Sequence, residues 1–361
     1  YSGMVPTDIR DYDANANIIA QGNWCSFQRP AMLRTTDAKF DEYAALFYAC
    51  QKEVYGDVSN YYATDPFHEG GITGGMNSAD ISREVLNSML AADKDAIWII
   101  QAWQGNPTTA LLNGLDQIEN GASHALVLDL YAEKDPHNQQ TGGSYGDTKE
   151  FDDTPWVYCM LNNFGGRLGV HGHLDNMARE IPVAFNRSNH LAGIGITPEA
   201  SVNNPVLYDF IFESCWVEDA TATMETIDLT SWLKAYATRR YGAQSDNADE
   251  AWMILKDTVY KASLNMNGQG SPESIVNARP DLSINAASTW GNAIISYDKV
   301  LLEDALELLL KDYDQFKDNE AYMYDIANVE QQVLSNSAQE VHRRMAAAFN
   351  AKDLTAFTKE A

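Results

Sequence analysis

A chain of 361 residues, 45% of them apolar, can bury a large core as one large domain or two ordinary ones, and is too apolar to stay disordered. With 25 Lys plus Arg against 51 Asp plus Glu, its net charge of -26 repels nucleic-acid phosphates and anionic membranes, but excludes neither a neutral sugar nor a peptide. The four cysteines, Cys25, Cys50, Cys159 and Cys215, lack metal-ligand spacing and are too few for a disulfide scaffold; no apolar run is long enough to span a bilayer, and the first residues show no basic-then-apolar leader.

Residues 1–6 read as the tail of a strand entering a turn, a beginning inside a domain. Ile18-Ile19-Ala20 leads into Gly22-Asn23-Trp24-Cys25 and Arg29-Pro30, a loop rich in side chains able to hold a ligand. Thr36 or Asp37 can cap a helix with Phe40, Tyr43, Ala44, Phe47 and Tyr48 on one face, and Gly56 closes it. A short aromatic strand follows and ends at Asp65-Pro-Phe-His-Glu69, then Gly70-Gly71. Ser78-Ala-Asp80 caps a second helix, running to about Asp93. Ala96 to Trp103 is a nearly continuous apolar run, as a parallel sheet buried on both faces requires. Pro107 to Glu119 reads as a helix, Ala125 to Glu133, Pro155 to Leu161 and Leu191 to Thr197 as strands, and the polar stretch 135–154 as a loop. Short apolar runs exchanging with amphipathic helices are the sign of βα units.

From about residue 204 the pattern turns helical, with helical spacing over 230–241, 248–262, 281–312 and 320–348. On the last of these, Ile326, Val329, Val333, Ser337, Val341 and Met345 form the expected core stripe. The predicted division is a barrel part over 1–215 and an all-α domain over 216–361.

Two predicted strands end in a carboxylate, at Glu69 and at Glu199. Alone, each is most simply a solvated loop residue. They can meet only in a fold that gathers strand ends, as a (β/α) barrel does at its C-terminal face. A pair of carboxyl groups suits acetal hydrolysis: one protonates the leaving oxygen while the other attacks carbon or activates water, and neither a metal nor a cofactor is called for. Trp24, Tyr61, Tyr62, Trp98, Trp103 and Trp156 lie near strands or their ends, where each serves either as core or as a face for a sugar ring. The amides of Gln101, Asn162 and Asn163 can bond hydroxyls or an acetamido group. Residues 164–173 carry glycines for tight turns without a GxGxxG or Walker pattern. His171 and His173 alternate as metal ligands could, but a mononuclear site needs a third ligand.

The motifs Ser2 to Pro6, Asp65 to Glu69, Trp98 to Trp103, Leu128 to Glu133, Trp156 to Gly166, Gly193 to Glu199 and Arg239 to Gly242 occur in one order over nearly the whole chain. In these the sequence resembles glycoside hydrolase family 89, the alpha-N-acetylglucosaminidases. The resemblance implies a retaining exo-hydrolase for terminal alpha-linked N-acetyl-D-glucosamine, with Glu69 as acid/base and Glu199 as nucleophile. The substrate residues it implies are Trp24, His68, Trp98, Gln101, Trp103 and Asn163, with Tyr260 and Trp290 from the helical domain. The fold it implies is a (β/α)₈ barrel followed by an all-helical domain. Two departures stand out. His68 takes the place of the Asn of the animal form, while Gly70-Gly71 looks like the bacterial branch. Only the last five or six barrel strands can be built from this chain, which implies that the missing N-terminal segment lies on another chain or has been cut away. The alternative is a carbohydrate-binding or structural remnant of such a barrel. A secreted or periplasmic location is implied by the resemblance alone.

Overall fold

The computed structural model describes residues 1–137, 150–163, 167–199, 204–216, 227–262, 270–284, 291 and 293–361. The chain forms two compact units, Tyr1–Cys159 with Arg187–Ile196, and Met160–Asn186 with Thr197–Ala361.

The first unit opens with strands β1 (Met4–Val5), β2 (Ile18–Ile19), β3 (Asn23–Trp24), β4 (Phe27–Gln28) and β5 (Ala31–Leu33). β1 and β2 pair antiparallel on either side of β5, and β3 pairs with β4 as a hairpin. Val5, Ala16, Ala31 and Leu33 make the core of this part. Helix α1 (Ala38–Tyr55) starts where the Asp37 carboxylate accepts the Lys39 N–H and ends at Gly56 with φ +78°, a value that favours glycine. Its Phe40, Ala44 and Tyr48 are buried at the expected spacing.

The main sheet has five strands in the order β10-β9-β8-β7-β6: β6 (Tyr61–Ala63), β7 (Ile97–Ala102), β8 (Ala125–Asp129), β9 (Trp156–Met160) and β10 (Leu191–Ile196). Its parallel register places Tyr62 beside Trp98, Ile100 beside Val127 and Leu128 beside Val157. Helices α2 (Ser78–Ala92) and α3 (Thr109–Leu112) lie on the crossovers. This is the partial (β/α) barrel expected from the alternation of apolar runs and helical stripes.

Three local expectations are corrected. Asn77, not Ser78, caps α2, its side chain accepting the Ala79 N–H. The helix predicted over 107–119 is broken into α3 and a 3₁₀ turn, Leu115–Gln117. The cause is Gly114, which presses so close to α2 that a Cβ there would lie 2.2 Å from the Ala79 carbonyl oxygen. The third strand stops at Asp129 instead of Glu133, because the Asp129 carboxylate turns to accept the His137 N–H at 3.0 and 3.1 Å.

The second unit is helical: α4 (Leu174–Arg187), α5 (Pro205–Ser214), α6 (Leu229–Tyr241), α7 (Asp246–Asp257), α8 (Lys299–Lys311), α9 (Tyr313–Phe316), α10 (Glu320–Asn350) and α11 (Leu354–Glu360). Of the helix expected over 281–312, the described residues 281–284 and 293–298 are not helical, and a helix starts at Lys299, where Asp298 caps it. Upstream, Asp281 binds both the N–H and the hydroxyl of Ser283, a local bond that competes with helix. The buried stripe of α10 also differs from the apolar one expected. Tyr322, Asp325, Ile326, Val329, Gln332, Ser335 and Asn336 face inward, while Val341 is exposed. Among the polar members, Asp325 takes two bonds from Arg240, at 2.6 and 2.9 Å, and one from the Tyr241 hydroxyl at 3.0 Å. Gln332 accepts the Val170 N–H and donates to Asn336.

Candidate active site

The turn after β6 is fastened to β7 at two points. The Trp98 indole donates to the Thr64 carbonyl at 2.7 Å, and the Asp65 carboxylate accepts the Gln101 N–H at 2.9 Å. Burial raises the Asp65 carboxyl to about 6, against the opposing effect of that N–H. Farther along, Gln21 grips Ile72 by both its N–H and its carbonyl, at 2.7 and 2.8 Å.

Glu69 sits in this turn with a left-handed backbone, φ +54°. For a residue with a Cβ this conformation costs on the order of 1 kcal/mol and persists only where its surroundings hold it. Arg29 does so, donating from Nη1 to the His68 carbonyl at 3.1 Å and from Nη2 to the Glu69 carbonyl. Gly70 follows with φ +95°, and at Gly71 a Cβ would meet the Phe67 Cα at 2.9 Å, so the Gly-Gly pair is what lets the chain fold back under Phe67.

The Glu69 carboxylate receives an indole N–H on each oxygen. Trp103, the residue after β7, donates to Oε1 at 2.9 Å, and Trp24 of the β3–β4 hairpin donates to Oε2. Side chains alternate along β7, with Trp98, Ile100 and Ala102 buried and Ile99 and Gln101 partly exposed. Gln101 and Trp103 therefore share the more open face. Behind Trp103 lies the buried ring of Tyr131, centroids 6.3 Å apart. The His68 imidazole is held below its ordinary value, mainly by burial; the Glu69 charge opposes that shift and the Arg29 charge adds to it. Its Nδ1 is buried without a hydrogen-bond partner among the described residues.

The structure thus brings together Trp24, His68, Glu69, Gln101 and Trp103 in the first unit. Trp98 is in the first unit too, but its ring is fully enclosed in the sheet, where it fastens the turn and offers no face to a sugar. Trp156 is likewise core, its indole donating to Glu150.

In the second unit, Asn163 is buried, donating to the Gly169 carbonyl at 2.9 Å and accepting the Ser271 N–H at 2.8 Å. Tyr260 is buried as well, its hydroxyl donating to Asn204 at 3.2 Å and its ring stacked on Trp252. Glu199 follows β10 and is exposed. His171 and His173 are buried edge to face, centroids 5.1 Å apart, and the described residues contain no group of three or more His, Cys, Asp or Glu placed to hold a metal. Trp290 and most of the 135–154 loop lie outside the described residues. Arg29 is marked in the sequence only as part of a loop able to hold a ligand; its partners stand 39 and 40 residues away, and nothing local in the sequence signals so distant a contact.

Comparison with known proteins agrees along the chain. The family model described as "Alpha-N-acetylglucosaminidase (NAGLU) tim-barrel domain" matches residues 1–218, and the corresponding C-terminal domain matches 232–361. The chain is 28% identical over 373 residues to the human protein named alpha-N-acetylglucosaminidase, spanning 99% of this chain and 47% of that protein. Among solved structures, a family 89 glycoside hydrolase from Clostridium perfringens in complex with PUGNAc superimposes with a TM-score of 0.89 at 42% identity, covering 100% of this chain and 39% of that one. A variant of the Clostridium protein with two glutamates replaced by glutamine, in complex with its substrate GlcNAc-alpha-1,4-galactose, gives the same TM-score of 0.89 and the same 42% identity. The chain thus spans about half the length of the human relative and less of the bacterial one. On the family match over most of its length, it belongs to the alpha-N-acetylglucosaminidases of glycoside hydrolase family 89.

Proposed function

We propose that this chain carries the catalytic pair of a retaining exo-glycosidase that hydrolyses terminal alpha-linked N-acetyl-D-glucosamine from glycans. Glu69 acts as acid/base and Glu199 as nucleophile. In the first step Glu199 attacks the anomeric carbon while Glu69 gives a proton to the departing oxygen; in the second Glu69 takes a proton from the water that displaces Glu199, so the configuration is kept. This requires the two carboxyl groups to stand about 5 to 5.5 Å apart. Trp24, His68, Gln101 and Trp103 hold the sugar beside Glu69, Trp98 fastens the turn that carries it, and Asn163, Tyr260 and Trp290 are the further substrate residues of this reading. No cofactor is needed.

The observation that carries this reading is the Glu69 carboxylate, fixed by an indole on each oxygen beyond the carboxyl ends of β6 and β7, in a chain similar to one solved with GlcNAc-alpha-1,4-galactose as its substrate. The same reading assigns 1–215 to the barrel and 216–361 to the helical domain, takes the remaining barrel strands from a segment outside this chain, and places a bacterial protein outside the cytoplasm. The test is release of 4-nitrophenol from the alpha-N-acetylglucosaminide, compared with the beta anomer and the N-unsubstituted alpha-glucoside. Turnover of the first alone is expected. Binding of the sugar without turnover would favour a carbohydrate-binding remnant.

A further inference from the structure

The stretch from Gly22 to Arg29 has a defined architecture of its own. The Arg29 N–H bonds the Gly22 carbonyl at 2.9 Å and closes the base of the β3–β4 hairpin. At its tip Cys25 and Ser26 both take left-handed backbones, φ +46° and +71°, the arrangement that matches the twist of a two-residue hairpin. From the two sides of this hairpin come two holds on one residue. Arg29 binds the two successive carbonyls of His68 and Glu69, and Trp24 binds the Glu69 carboxylate.

We propose that the Gly22–Arg29 hairpin is the positioning device of Glu69, with Arg29 and Trp24 as positioning residues. The inference rests on the proposed acid/base role of Glu69. A carboxyl group that must protonate a leaving oxygen has to lie within about 2.6–3.2 Å of it. The side chain's direction follows from its backbone, and the Glu69 backbone is one that an L-residue does not keep unaided. A guanidinium can satisfy two successive carbonyls at once with its planar fork, whereas an ammonium is a point donor. Trp24 completes the hold from the carboxylate end. The hairpin is otherwise exposed, Trp24 and Phe27 included, so it takes little of its order from packing. Displacing it would withdraw both holds together.

The test compares Arg29→Lys and Trp24→Phe with the parent and with Glu69→Ala, on two substrates: 4-nitrophenyl alpha-N-acetylglucosaminide, whose leaving group departs without a proton, and GlcNAc-alpha-1,4-galactose, whose leaving group needs one. Both substitutions are expected to lower kcat on the disaccharide about tenfold or more, with a smaller loss on the aryl glycoside and little change in KM, as befits one lost bond to the acid. Trp24→Phe keeps the ring, so it reads the loss of the N–H even if Arg29→Lys disturbs folding. Equal losses on both substrates, or a change in KM alone, would overturn the proposal while Glu69→Ala still showed the leaving-group dependence. A Glu69→Ala variant without that dependence would remove the acid/base reading itself and this inference with it.

Discussion

Trp103 donates its indole N–H to Oε1 of Glu69 at 2.9 Å, from the first residue past β7 to a carboxylate in the turn past β6. The bond ties the ends of two neighbouring parallel strands through a side chain of the proposed acid/base. Trp103→Phe keeps an aromatic ring and removes this donor. A hydrogen bond to a charged group is worth roughly 1.5–3 kcal/mol, so kcat is expected to fall about tenfold to a hundredfold with KM nearly unchanged. A rise in KM at constant kcat would show that Trp103 acts on the sugar alone and that its N–H does not serve the carboxylate.

The second prediction concerns pH. Burial raises the Asp65 carboxyl to about 6, above the roughly 3.9 expected of the unfolded chain. Between those values the folded protein binds this proton more tightly than the unfolded one, so the stability it contributes is fully present below about pH 4 and is lost as the pH rises through about 6. Asp65→Asn removes the titration. The difference in Tm, parent minus variant, should therefore decrease from pH 4 to pH 6.5, and a constant difference would contradict the assignment.

A third prediction tests the core of the helical unit. Arg240 makes a two-point bond to the buried Asp325, which also accepts the Tyr241 hydroxyl. Burial pushes the Asp325 carboxyl up and the Arg240 guanidinium pulls it back down. Taking away one member of such a pair leaves a charge without its counterpart, at a cost of about 3–5 kcal/mol. Asp325→Asn should lower the unfolding free energy, read from urea titration, by an amount of that order. A loss below about 1 kcal/mol would mean that solvent reaches the pair.

What the sequence discloses about this architecture is what is local. Asp37 and Gly56 bound α1 by capping chemistry that any reader of the sequence can apply, and Ile97 to Ala102 announce a buried parallel strand by composition. Glu69 is marked by its place between an aromatic strand and two glycines. The contacts that decide its geometry are not local. Trp24 and Trp103 read equally as core or as sugar platforms, and only their indole directions show that both address one carboxylate. Trp98 looks by residue type as able to face a sugar as Trp103 just past the same strand, and the alternation along β7 turns it inward. The α10 stripe keeps the expected Ile326 and Val329 but adds polar members for a related reason: Asp325, Gln332 and Asn336 look like solvent-facing residues until Arg240, Val170 and Tyr297 offset the cost of burying them.

The roles of the two glutamates separate most directly in one product analysis. Glu69→Ala, turning over 4-nitrophenyl alpha-N-acetylglucosaminide in azide, should be accelerated, because azide attacks the Glu199-linked intermediate without needing a base. The glycosyl azide formed should keep the alpha configuration. A beta-glycosyl azide from this variant, or a rate unaffected by both the substitution and azide, would contradict the assignment of Glu69 as acid/base and Glu199 as nucleophile.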